Sequence, residues 1–268
     1  KWGTSNLLFN NDADYITFEG TVSTDLDQIA IMPGILQKEW EENGRKYYHY
    51  KMTGELDFFY NISSARYDVL REVWTGENGE KVNIEIFHHP THKYNLDKFV
   101  KGVKHSLDYF SKNYSPYQYK QMRIIEFPRY STFAQSFPNT VPYAESFGWV
   151  GDFSDPEDLD YVYMVTSHEV AHQWWGHQIT PSATRGSNQI SESMAEYSSL
   201  MVMKKEYGID IYKSHYQFDI TKRVNYIANC VKHKDSFPVK EPIHPDFKYA
   251  DKNKKIEMLR QASQEGWI

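Results

Sequence analysis

Residues 168–176 read His168-Glu169-Val170-Ala171-His172-Gln173-Trp174-Trp175-Gly176. Two histidines four apart lie on one face of an α-helix, so both imidazoles can turn to one point. Glu169, one step round the helix, can reach a water held there. Imidazole nitrogens and carboxylate oxygens are zinc ligands, and a catalytic zinc keeps one position for water. The stretch therefore predicts a metal centre with its own general base, given a helix and a third ligand from elsewhere.

The flanking residues supply both. Asp155-Pro156-Glu157-Asp158 carries helix-start signals: Asp155 as the cap, Pro156 at the first helical position, and acids at the positive end of the dipole. The predicted helix runs through Tyr161, Val165, His168, His172 and Trp175, and the Gly176 to Pro181 region ends it. A further helix is predicted from about Asn188 to Tyr207, with Ile190, Met194, Tyr197 and Met201 as its apolar stripe and Gly208 as its C-cap. Glu192, early on that helix, is the third ligand if a helix–loop–helix returns it to the metal. Glu196, one turn on, can orient a ligand from behind. A metzincin site needs Gly three and His six residues after the second His. Gly176 and His177 fall one place away from that register, so His177 is expected at the helix end or on the surface.

Upstream the pattern is different. Residues 1–89 read as β-structure. Asp14 to Val22 alternates apolar and polar, Lys46 to Met52 is rich in Tyr, and Tyr67 to Trp74 and Lys81 to Phe87 flank an Asn78-Gly79 hairpin signal. After His88-His89-Pro90, Leu96, Phe99, Val100, Val103, Leu107 and Phe110 fall at helical spacing, with Asn95 as a cap and Pro116 beyond the end. Met122 to Phe127 reads as a buried strand. Phe137 to Val150 reads as irregular to extended, with Pro138 and Pro142 confining it to an edge or loop. Phe237-Pro238 to Pro245 is a turn-rich break. The fold class is α+β: a β-rich portion over 1–89, then a mainly helical portion over 90–268.

Bulk properties bound the function. The chain has 268 residues, 40% hydrophobic and 16% aromatic, enough for one large domain or two modest ones with packed cores. A net charge of −6 argues against a nucleic-acid partner. Cys230 stands alone, so no internal disulfide is expected. No run of 18 apolar residues is present, so no span is predicted in this chain. The first residue is Lys1, which suggests a processed form or an excised piece with sequence missing on one side or both.

The 168–176 segment resembles the signature of the aminopeptidase N family of zinc peptidases, relatives of leukotriene hydrolase within the gluzincins. That family places 18 residues between the second His and its Glu ligand; here there are 19, and Ser191-Glu192-Ser193-Met194-Ala195-Glu196-Tyr197 keeps the local frame. The resemblance implies one zinc ion on His168, His172 and Glu192, and Glu169 as base. It also implies a thermolysin-like zincin catalytic domain over 90–268, preceded by the closing part of a β-rich N-terminal domain over 1–89. The family's G-x-M-E-N segment corresponds to Pro142-Tyr143-Ala144-Glu145-Ser146-Phe147-Gly148, where Glu145 keeps the position that binds a substrate's α-amine and its neighbours depart from the pattern. Tyr249 is the candidate for the family's oxyanion-binding tyrosine. Stretches such as Arg123 to Tyr130 and Phe133 to Thr140 are similar to a bacterial branch often joined to transporter-permease-like segments, which implies a membrane-tethered parent protein.

These readings predict a peptide substrate, lying along 141–150 as an added strand. Removal of N-terminal residues is the expected activity. An endopeptidase of the same clan, and a zinc-retaining but catalytically idle peptide-binding module, are the alternatives. The intact Glu169 counts against the idle module, because holding zinc does not require it. Compartment and oligomeric state are not legible.

Overall fold

Strands occupy the first third of the chain because β-branched and aromatic residues alternate there with polar ones. The computed structural model describes residues 15–153, 160–181 and 189–208, and these, Tyr207 and Gly208 aside, belong to one compact unit, Leu7–Glu206. Three short sheets result. β1 (Glu19–Thr24), β4 (Arg45–Lys51) and β3 (Ile35–Glu42) form an antiparallel sheet in the order β1-β4-β3. β2 (Ile29–Ile31) pairs with β5 (Ser63–Ala65). The β3–β4 hairpin turns at Asn43-Gly44, with φ of 50° and 73°, the positive pair that a two-residue type I′ turn requires.

The third sheet leads to the site. β6 (Asp68–Thr75) and β7 (Lys81–His88) form the hairpin expected around Asn78-Gly79, and Gly79 takes a positive φ of 82°. β7 then pairs in parallel with β8 (Gln121–Phe127), and β8 in parallel with β9 (Thr140–Ala144), giving the order β6-β7-β8-β9. The sheet thus joins strands from before and after residue 89.

α1 (Leu96–Asn113) connects β7 to β8 and buries Phe99, Val103, Leu107 and Phe110, close to the predicted stripe. Asn95 stands at its N-cap, but its side chain does not cap. It adopts φ 59° and donates to the carbonyls of Gly148 and Gly151 at 2.9 and 3.0 Å. The segment expected as an edge or loop around Phe137 to Val150 is an edge strand, β9, followed by a short helix, α2 (Glu145–Gly148).

α3 (Tyr161–Ala171) carries the motif. Asp160 caps it, accepting from Tyr163 N–H at 3.0 Å; the expected cap at Asp155 lies outside the described residues. No residue of α3 is exposed. It packs on α1 so closely that a Cβ on Gly102 would stand 3.0 Å from Thr166. Phe99, Tyr143 and Trp149 form a cluster beside it, with ring centroids 4.5–5.8 Å apart. The helix ends at Ala171, earlier than expected, and His172 is its C-cap.

The last described element begins with a π-helical turn, Gln189–Ser193, and continues as a helix, α4, over 194–208. Gly208 has φ 85°, suited to a C-cap. The predicted stripe is a correction. Ile190 and Tyr197 are exposed, and the buried residues are Ser191, Ala195, Ser198, Ser199, Leu200, Val202 and Met203. Ser198 accepts from Trp175 Nε1 at 2.9 Å. Among the described residues no helix is long and apolar enough to cross a membrane.

Candidate active site

An enclosed helix that buries Glu169, Thr166 and Ser167 and half-buries His168 needs a reason, because buried polar groups cost stability unless paired. The reason lies at its C-terminal end. His168 Nε2 and His172 Nε2 stand 3.1 Å apart, and Glu192 Oε2 lies 3.5 and 3.6 Å from them. Ligands bound tetrahedrally to zinc at about 2.0–2.1 Å stand roughly 3.3–3.4 Å from one another. The three atoms already have that spacing, and the donor set fits zinc.

Each imidazole is oriented from behind. His172 Nδ1 faces the carbonyl of Trp175 at 3.1 Å. A proton on that nitrogen leaves the Nε2 lone pair for a metal. Glu196 Oε2 lies 3.0 Å from His168 Nδ1, within charge-pairing reach although off the line of a hydrogen bond. The expected orienting role of Glu196 has this geometry. Burial disfavours a charge on His168, but the carboxylates of Glu192 and Glu196 outweigh it and push its pKa up to about 10. Burial likewise opposes charge on Glu192, and the two imidazoles overcome it, holding its pKa well below the usual carboxylate range. The cluster favours a cation at its centre.

Glu169 is buried, and burial raises its pKa against the pull of His172 and His168. Ser136 Oγ donates to its backbone carbonyl at 2.9 Å, tying the 133–137 segment to the motif. Gln173, the next residue after the motif, fixes the same segment by donating to Ser136 Oγ at 2.7 Å and to the Phe137 carbonyl at 2.9 Å.

Glu192 sits in the π-helical turn. Such a turn holds one residue more than an α-turn. That is where a nineteenth spacer residue can be absorbed without displacing the ligand.

Other predicted residues stand apart from this trio. Glu145 begins α2 and accepts from Arg129 N–H at 3.1 Å. His92 Nδ1 is 4.0 Å from its other oxygen and is hydrogen-bonded to Glu126. No described contact joins Glu145 to His168, His172 or Glu192. His92, Glu126 and Glu145 are themselves close enough to consider as metal ligands. The trio at the end of α3 is the better centre, because its three separations are nearly equal, whereas His92 is already engaged by Glu126. Tyr249 lies outside the described residues.

Two expectations are overturned. His177 is not a surface residue: it is 5% exposed and pairs through Nδ1 with Asp57 Oδ2 at 2.9 Å. Burial lowers its pKa. Leaving the helix at His172 turns the chain inward, so the residue lands against the β-rich portion. Second, β9 cannot take an added strand along 140–144. Its outer edge is covered by the chain's own 133–137, through Ala134 opposite Tyr143 and Phe137 opposite Thr140. The supporting bonds are Gln135 N–H to Pro142 and Ala144 N–H to Phe133, both at 3.0 Å.

Asp57, the Ser136 hydroxyl and the Trp175 carbonyl were missed from sequence. The Trp175 carbonyl is a backbone group with no sequence signature, a lone serine such as Ser136 carries no site signal, and Asp57 lies in a stretch with no motif. His92 was detectable only as part of the His88-His89-Pro90-Thr91-His92 cluster.

The site brings two histidines at the end of one helix and a glutamate at the start of the next close enough to hold one metal ion, the donor arrangement of a gluzincin. A family model described as "Peptidase family M1 domain" matches residues 94–261, and the chain belongs to that family. It is 25% identical over 177 residues to leucyl aminopeptidase of Saccharolobus solfataricus, covering 64% of this chain and 22% of that protein. Probable aminopeptidase 1 of Sulfurisphaera tokodaii is 28% identical over 82 residues, 30% of this chain and 10% of that one. Among solved structures, aminopeptidase A of Legionella pneumophila, crystallised with aspartic acid, superposes with a TM-score of 0.64 at 15% identity, over 74% of this chain and 24% of that one. An M1 zinc metallopeptidase from Deinococcus radiodurans gives 0.57 at 16% identity, over 73% and 42%. The chain spans under half the length of each of these proteins.

Proposed function

We propose that this chain is the catalytic part of a zinc peptidase that removes N-terminal residues from peptides. The observation that carries the reading is the near-tetrahedral spacing of His168 Nε2, His172 Nε2 and Glu192 Oε2 with Glu169 buried beside them. These three residues would hold one zinc ion, which when bound lowers the pKa of a water and polarises the scissile carbonyl. Glu169, whose backbone carbonyl accepts from Ser136 Oγ, takes the attacking water's proton at its carboxylate and delivers it to the leaving amine nitrogen. The Trp175 carbonyl keeps His172 in the tautomer that faces the metal. Glu145 anchors the substrate's ammonium by a charge-assisted hydrogen bond. Tyr249 donates to the oxyanion, a role that rests on the family resemblance.

The proposed division is a β-rich N-terminal portion over 1–89 and a thermolysin-like catalytic domain over 90–268. Its support is a family match that starts at residue 94, while the β6-β7-β8-β9 sheet runs across the boundary. A membrane-tethered parent protein is proposed from the likeness to the permease-linked branch; recovery of the whole gene product from the soluble fraction would count against it.

Cleavage of a fluorogenic peptide should vanish with chelator and return with zinc. Glu169→Gln should keep its zinc and lose roughly 10²–10⁴-fold in turnover. Unchanged turnover in that variant removes Glu169 as base, and chelator-resistant cleavage removes the metal. An endopeptidase is the second reading. It is favoured by the engagement of Glu145 with Arg129 and His92 and by the altered residues around it.

A further inference from the structure

Asp57 and His177 form a buried pair that the chemistry above does not use. Both are nearly sealed from solvent, at 6% and 5% exposure, and their contact links positions 120 residues apart. Asp57 comes from the segment between β4 and β5. Phe59, two residues on, packs its ring on Phe137 at 4.5 Å. The β-rich portion therefore reaches the small cleft lined in part by Phe59, His172, His177 and Glu192.

His177 closes a tight loop that begins at a metal-ligand position. Its N–H donates to the His172 carbonyl at 3.2 Å. Between them, Trp175 presents the carbonyl that orients the His172 ring, and Gly176 takes a φ of 143° that other residues rarely adopt. The loop is also tied by Gly176 N–H to the Ile179 carbonyl and Ile179 N–H to the Trp174 carbonyl, and its His177 end is held by Asp57. A buried carboxylate is stable only if paired, and His177 is the side-chain partner of Asp57 among the described residues.

We propose that Asp57 is a positioning residue for the metal centre. Through His177 it fixes residues 172–177 in the form that aims His172 Nε2 at the ligand point, so the β-rich portion sets how tightly the metal is held. The inference rests on the reading that His168, His172 and Glu192 bind zinc.

The test measures zinc affinity of the full chain by chelator competition, together with the visible spectrum of the cobalt(II)-substituted protein, which reports ligand geometry. Asp57→Asn keeps the shape and an acceptor oxygen. It should weaken zinc about threefold, and Asp57→Ala about tenfold, the low end of the range for partners of metal ligands. Both should alter the cobalt spectrum. Melting of the metal-free proteins separates this from general destabilisation: the Asn variant should melt close to wild type while its metal affinity drops. Zinc affinity within twofold of wild type and an unchanged cobalt spectrum in Asp57→Asn overturn the proposal and leave the pair a simple staple. Failure of the wild-type chain to bind either metal instead overturns the zinc reading on which the proposal stands.

Discussion

At the scale of single residues, the metal centre separates into groups that sequence can announce and groups that it cannot. His168 and His172 are legible because helical periodicity alone places them on one face, and Glu169 because it lies one step round from them. Glu192 is legible from its frame on the following helix. The Ser136 hydroxyl and Asp57 are supplied by chain segments that meet the motif only after folding, and the Trp175 carbonyl is a backbone group whose direction the sequence does not show. Glu145 is the residue whose role most needs measurement. A charge-assisted hydrogen bond to an ammonium contributes about 1.5–3 kcal/mol, so Glu145→Ala should cost roughly ten- to a hundredfold in kcat/KM on free-amine peptides. N-acetylated peptides should lose much less. Equal losses on both classes sink the amine anchor and favour the endopeptidase.

At the scale of elements, α3 depends on α1 for its seat. Gly102 lets the two helices approach, and even a Cβ there would press Thr166 Cβ and Cγ2 at 3.0 Å. Gly102→Val adds two further carbons into that contact. Overpacking of this kind costs roughly 1–3 kcal/mol, or about 2–12 °C in melting temperature for a unit of this size. An unchanged melting curve would mean that α1 can slide. The elements themselves were largely readable. The 68–88 hairpin, the 96–113 helix and the 121–127 strand all followed from period and turn chemistry. The face of α4 did not, because hydrophobicity marks Ile190 and Tyr197 while the buried side mixes serines and an alanine with Leu200, Val202 and Met203. Small polar residues such as Ser191 and Ser198 carry no apolar signal by which a periodicity reading could place that face.

At the scale of the whole molecule, strand order was beyond the sequence. Nothing in residues 81–88 tells that β7 pairs with β8 across an intervening helix. What the assembled fold does to its tyrosines is measurable. Tyr50 is buried, and burial pushes its pKa up to about 12 while its hydroxyl donates to the Ala30 carbonyl at 2.9 Å. In the unfolded chain a tyrosine ionises near 10. The folded state therefore prefers the neutral phenol. The stability due to Tyr50 is whole below about pH 10 and is lost as pH rises through about 12. Tyrosinate absorbance and far-ultraviolet circular dichroism followed together should show Tyr50 ionising only as β-structure melts. Ionisation of all tyrosines near 10 with the fold intact would contradict its burial. The strap over 133–137 has a consequence of another kind. A bare strand edge invites other chains to join the sheet, and that invitation is how many proteins begin to aggregate. By laying its own backbone along β9, the molecule keeps an edge close to its reactive centre from becoming adhesive toward its own copies.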